Sequence, residues 1–367
     1  MLKKLFGYSV RWSYFLLLIA ALLVNQRCRQ TAGANVSDPL SVVTLSDRSQ
    51  LILLDSIRAA DAILVDTSDG LFERITPLDM QIQLKRNYPA GSSRERILTD
   101  YRRHLQEDVR NFTAEEAAFL RRVWARTAAV AQSISPDLLP PRVELIKMGA
   151  NHYGPSAYYT REHRILIPAN ELESGYEFGM MQVMFHELFH IYSRRFPEQR
   201  RKLYSLIGFE DLGDPRDLIT EPAFAERVLL NPDGVDYAQR IRLELGDSVI
   251  HAIPVLRANR PAFDPAERTF FNYLDFQLFP VDSTAAGWRV RSLPSGDSPL
   301  SLASAPDFFR QIKDNTQYII HPDEVLADNF MILASAIANE DESLDRLSEP
   351  GRLLIEQIEE IISIGAQ

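Results

Sequence analysis

The segment Met180-Met-Gln-Val-Met-Phe-His-Glu-Leu-Phe-His-Ile-Tyr-Ser-Arg-Arg-Phe196 sets two histidines and a glutamate in the middle of an apolar stretch. No other feature of the chain constrains its fold as much. The stretch holds neither Pro nor an internal Gly, and Pro197 follows it, so the pattern predicts one helix over 177–195. Met180, Met181, Val183, Met184, Phe185, Leu188, Phe189 and Ile191 leave almost no polar face, and a helix apolar nearly all round is buried. Residues four apart share one helix face, so His186 and His190 project together, with Glu187 about 100° round the axis. Buried polar side chains need partners, and one metal ion shared by both imidazoles supplies them. The chain has a single cysteine, Cys28, so any such ion is held by His, Asp and Glu. Zinc suits this donor set: it accepts four or five ligands, has no redox chemistry and lowers the pKa of a bound water to about 7. Glu187 then stands beside that water as a general base. With 7 histidines in 367 residues, chance produces the pattern in roughly one chain in a hundred.

A catalytic zinc needs a third protein ligand, and two acidic sites compete. Glu324 lies in Tyr318-Ile-Ile-His-Pro-Asp-Glu-Val-Leu-Ala-Asp-Asn-Phe330, where Pro322, Asp323 and Glu324 suit a helix start. Glu324 and Asp328 are then four apart on one face, so Glu324 can bind the metal while Asp328 orients a ligating histidine from behind. Glu210, with Asp214 four residues on, lies nearer the motif. However, Gly208, Gly213 and Pro215 mark that stretch as loop, and the shared-face argument does not apply there. The helix argument favours Glu324.

Around this core the pattern is mixed. Residues 45–133 read as helical, with Leu51, Leu54, Ile57 and Ile63 at helical spacing. Arg94 to Val109 is amphipathic, and Thr113-Ala-Glu-Glu116 matches a capping box opening a helix to about Ala131. Pro136, Pro140 and Pro141 break the chain. Val143–Met148 and Tyr158–Pro168 are strand candidates, 249–291 reads as a hairpin or meander, and 322–338 and 350–363 are helical again. The expected fold class is therefore α+β and helix-rich, with a small antiparallel sheet. A helical region over 35–140 precedes a catalytic region over 141–367 that carries an inserted β segment around 249–291. At 46% hydrophobic and 25% charged, a chain of this length can bury a sizeable core without disulfides. A formal charge of −10 with no basic stripe excludes nucleic acid as the expected partner.

Residues 1–34 read as an address. Residues 1–29 hold five Lys or Arg and no acid, and the 13-residue run Trp12–Val24 is too short for a spanning helix of about 20 residues. A basic start followed by such a run matches a secretory signal, with a small-residue cleavage site at Ala32-Gly33-Ala34. An uncleaved anchor is the competing reading, with membrane association through residues 12–24 only. Arg27 stands where a lipidation motif at Cys28 requires a small residue.

His186-Glu187-Leu188-Phe189-His190 followed by Glu324-Val-Leu-Ala-Asp328 resembles the gluzincin zinc metallopeptidases, which pair H-E-x-x-H with a later E-x-x-x-D on a second helix. The resemblance implies a zincin-like core with His186, His190 and Glu324 as Zn2+ ligands, Glu187 as general base and Asp328 bracing His186. It also implies a strand along the substrate cleft, for which Tyr158–Ile167 is the candidate, with Tyr158 and Tyr159 as substrate-binding residues. Tyr318 and His321, nearest Glu324 in sequence, are candidates for stabilising the oxyanion, as are Tyr158, Tyr159 and His152 beside the cleft strand. Two features depart from the family pattern. Asp323 stands where an Asn usually precedes the Glu, and the interval between His190 and Glu324 is long. The expected function is a secreted or envelope zinc peptidase acting on a peptide or protein and located extracellularly, periplasmically or on an outward-facing anchor. The alternative is a non-catalytic binding or scaffold protein on the same fold.

Overall fold

The computed structural model describes residues 43–46 and 49–365, apart from 174, 268 and 340–342. The leader expectation for residues 1–34 lies outside them. Two sheets and eleven α-helices are present among the described residues, an α+β architecture.

The first sheet contains β1 (Val43–Ser46), β2 (Ser49–Leu53), β3 (Val109–Arg110), β4 (Arg142–Met148), β5 (Tyr159–Arg161) and β6 (Arg164–Pro168). Its strand order is β1-β2-β4-β6-β5, with β3 paired to one end of β4. β2, β4 and β6 run parallel, and β1, β3 and β5 pair antiparallel with their neighbours. Residues 49–54 correct the helical reading of that stretch. Leu51, Ile52, Leu53 and Leu54 are all buried, whereas Ile57 is 80% exposed. A short run buried on both faces suits an inner parallel strand, and periodicity over so few residues does not separate it from a helix. The helices α1 (Ser56–Ala62), α2 (Leu71–Arg74), α3 (Pro77–Leu84), α4 (Arg94–Asp108) and α5 (Ala114–Ile134) connect β2 to β4. α5 opens on the Thr113–Glu116 capping box in full, with each side chain bonding the other's backbone N–H. The prolines at 136–141 mark a turn inside one compact unit, because β2 before them pairs with β4 after them.

α6 (Glu177–Arg195) follows the first sheet and is buried along most of its length. It packs against α5 and against α10 (Pro322–Asn339), with the Phe189 and Phe330 rings 5.8 Å apart. Between them come α7 (Pro197–Leu206), α8 (Pro222–Ala225) and α9 (Pro306–Ile312), and α11 (Glu349–Ser363) closes the chain. The second sheet is fully antiparallel, in the order β11-β10-β9-β8-β7. Its strands are β7 (Phe209–Asp211), β8 (Gln239–Leu245), β9 (Ser248–Ala258), β10 (Leu274–Thr284) and β11 (Gly287–Val290). The 249–291 segment is thus a meander, and it extends back to β8 and β7. No described helix is long and apolar enough to cross a membrane.

Candidate metal centre and active site

α6 and α10 face one another so that His186, His190 and Glu324 each aim a potential ligand atom at one point, all three within 4.8 Å of one another. Glu324 Oε2 lies 3.0 Å from His186 Nε2 and 3.4 Å from His190 Nε2. The second of these contacts lacks hydrogen-bond alignment, so His190 Nε2 is buried without a hydrogen-bond partner. The far sides of both rings are held. Asp328 Oδ1 sits 3.0 Å from His186 Nδ1, and Asp323 Oδ2 sits 2.7 Å from His190 Nδ1. A carboxylate at Nδ1 fixes the proton there and turns the Nε2 lone pair inward. Each brace is itself held: Thr316 donates to Asp328, while Ser193 and Tyr204 donate to Asp323 at 2.5 and 3.0 Å.

Glu187 is 3% exposed, and its Oε2 has no hydrogen-bond partner. Burial, followed by the charge of Asp233, pushes its carboxyl up to about 8. Burial would lower His186, but the bonds to Asp328 and Glu324 outweigh it and raise it to about 10. His190 is raised as well, against its burial, mainly by the charge of Glu324. Glu324 is lowered, its burial outweighed by the charge of His190. Three carboxylates thus surround two imidazoles and favour positive charge between them. Protons or a divalent cation can carry that charge, and the cation takes the Nε2 lone pairs by displacing protons.

The remaining sequence candidates fall at different distances. Tyr318 stands beside the cluster, its ring centroid 6.2 Å from that of His186. Burial and then the charge of Glu324 hold its phenol well above the usual value, so it stays an O–H donor. His321 has both ring nitrogens engaged. Nε2 donates to the Asp236 carbonyl at 2.7 Å, and Nδ1 accepts from the Asp323 N–H at 3.1 Å, so the ring props the start of α10. Tyr158 bonds Glu171 at 3.3 Å, and burial, then the charge of Glu171 and last that of Glu187, push its phenol up. Tyr159 turns to the other face of β5, where its hydroxyl meets His152 at 2.8 Å. Glu210 is on β7, paired with Arg240 at 2.5 Å and largely exposed, away from the cluster.

Two residues at the centre come from a segment that sequence reasoning passed over, Asn231-Pro-Asp-Gly234. Asn231 Nδ2 donates to Glu324 Oε1 at 2.6 Å, fixing which oxygen faces the histidines. Asp233 brings a carboxylate oxygen within 4.8 Å of ligand atoms of Glu187 and His190. Asn, Pro and Gly at the first, second and fourth positions are a turn signature and were available in the sequence, although nothing local links that turn to the α6 motif. Scans against protein-family models, curated proteins and solved structures each return no match to this chain.

Proposed function

We propose that this chain is a zinc-dependent peptidase with a zincin-like core, exported to the cell envelope or beyond. The observation that carries the reading is the braced pair of imidazoles converging with Glu324 beside an unpartnered Glu187 oxygen. The donor set fits zinc: two imidazoles and one carboxylate, with a carboxylate behind each ring. A zinc ion there would supply a Lewis acid that polarises a carbonyl and acidifies water.

The chain's own groups supply the rest. Glu187, in the carboxylate form that the positive charge of a bound metal would favour, takes a proton from the attacking water as its oxygen bonds to the scissile carbon. It passes that proton to the amide nitrogen as the carbon–nitrogen bond breaks. The Tyr318 hydroxyl, kept protonated, donates to the carbonyl oxygen as negative charge grows there. Asp323 and Asp328 hold the rings still throughout. A structural metal site has no use for an unpartnered, buried carboxylate beside it, and this disfavours a purely binding role. Export rests on the basic start and apolar run of residues 1–24. N-terminal sequencing from the source cell should find a chain beginning near Asn35, and a chain retaining Met1 would instead favour an anchor. Metal analysis combined with a peptide-library digest of wild type and Glu187→Gln tests the catalytic reading.

A further inference from the structure

The centre is largely closed. His190 and Glu324 are each 1% exposed, Glu187 is 3% exposed and the His186 side chain 13%, although a peptidase must admit a polypeptide to these groups. The cover is the turn 231–236, which is fastened at four points. Asn231 donates to Glu324, and Gly234 lies so close to the His321 ring that an added Cβ would fall 2.4 Å from it. The Asp236 carbonyl accepts from His321 Nε2. Asp233 Oδ1 accepts from both the backbone N–H and the hydroxyl of Thr160, each at 2.6 Å.

The Thr160 contact is the informative one. β5 is an edge strand of the first sheet, so its outward N–H groups are the ones an added strand would use. At Thr160 that donor is taken by a side chain of the protein itself. The same carboxylate lies within 4.8 Å of the Glu187 and His190 ligand atoms. One residue therefore occupies both the edge donor and the space beside the general base. Arg194 holds the Thr160 hydroxyl from behind at 3.2 Å and is itself paired with Asp69 at 2.8 Å, so the catch is part of a charged chain.

We propose that residues 231–236 form an autoinhibitory strap, with Asp233 as its catch, that an extended peptide displaces by adding to the edge of β5. The proposal rests on the peptidase reading for its substrate, but the strap is measurable without it. The turn is anchored on both sides. Leu230 N–H bonds Asp79 at 2.9 Å before it, and the Ala238 carbonyl accepts from Leu212 N–H at 2.9 Å just before β8 begins, so it can swing without dragging a sheet.

Hydrogen exchange on the metal-free full-length protein reads the catch directly. Asp233→Ala is expected to speed exchange of the Thr160 amide and of residues 231–236 by about tenfold or more, with α6 and α10 unchanged. Thr160→Val, which removes one hydroxyl and leaves the carboxylate, should give a smaller increase and guards against misfolding of the first variant. In zinc-loaded protein, Asp233→Ala should release metal to a chromophoric chelator faster and cleave library peptides about tenfold faster than wild type. Unchanged exchange in both variants overturns the strap. So does a loss, in Asp233→Ala, of turnover that wild type possesses, because Asp233 would then serve the reaction. Faster exchange and metal release with no cleavage by either protein leaves the strap standing and rejects the peptidase reading.

Discussion

Asp323 and Glu324 are adjacent in the chain and face opposite nitrogens of one imidazole, that of His190: Asp323 at Nδ1, 2.7 Å, and Glu324 at Nε2, 3.4 Å. The first turn of α10 thereby supplies both a candidate ligand and the group that aims its neighbour. Asp328, one turn on, does the same for His186. We expect Asp323→Asn and Asp328→Asn each to keep the fold and weaken zinc affinity by about 10–100-fold. A competition titration with a chromophoric chelator measures it. Affinities equal to wild type would reduce both acids to buried structural groups.

Glu324 and Glu210 make opposite predictions for metal content. Glu324→Ala removes a converging carboxylate and should leave less than one tightly held zinc per chain. Glu210→Ala breaks a largely exposed pair with Arg240, of a kind worth about 0–1 kcal/mol, and should retain full zinc. Elemental analysis of the two variants beside wild type decides between them.

The reach of the sequence is clearest at this centre. The two histidines, Glu187, Glu324 and Asp328 were legible because helical geometry turns sequence spacing into shared faces, whether or not the rest of the fold is known. Asp323 is visible as an acid at a helix start and as a departure from a family pattern, but not as a brace. Its role depends on how α10 docks against α6, which no local spacing encodes. Asn231 and Asp233 lie in a readable turn, but a turn's target is a tertiary fact. The strand at 49–53 fits a helical pattern as well because four consecutive apolar residues satisfy both periods, and β7 (Phe209–Asp211) corrects the loop reading of its stretch because a three-residue strand between glycines carries the turn signals of a loop.

Glu162, at the bend between β5 and β6, gives a pH-dependent prediction. It accepts hydrogen bonds from Thr67 and Ser68, which outweigh its partial burial and bring its carboxyl down to about 2. A depressed folded-state value means stability that is present above the ordinary value near 4.5 and lost as pH falls towards 2. Because the group is half-exposed, solvent screening limits the effect to about 1 kcal/mol. Glu162→Gln should melt a few degrees below wild type at pH 7, and the two should converge by about pH 2. A gap that stays constant with pH would mean shape, not charge, fixes the bend.

Gly234 tests the packing beneath the strap. A Cβ there meets the His321 ring at 2.4 Å, and that ring cannot move without releasing the Asp323 N–H and the Asp236 carbonyl. Gly234→Ala should cost about 1–3 kcal/mol as an overpacked site. Denaturant unfolding measures the cost. Stability equal to wild type would show that the turn shifts without disturbing His321.

The reaction itself turns on Glu187. Polarising a carbonyl and acidifying a water still leaves a proton to be carried from oxygen to nitrogen, and among the residues of this centre Glu187 has the free oxygen to carry it. Removing a general base typically costs about 10²–10⁴-fold in rate. Glu187→Gln keeps the length and shape of the side chain but is not basic. It should therefore retain one zinc and the wild-type melting temperature while losing at least about 10²-fold in turnover. Replacing a buried carboxyl pushed up to about 8 by a neutral amide also removes a group that is costly to ionise, so stability should not fall at neutral pH. The comparison is best made in the Asp233→Ala background as well as in wild type, so that a closed strap is not mistaken for a dead centre. If Glu187→Gln cleaves a library-selected peptide as fast as its parent in both backgrounds, the proton is carried by another group and the mechanism proposed here fails.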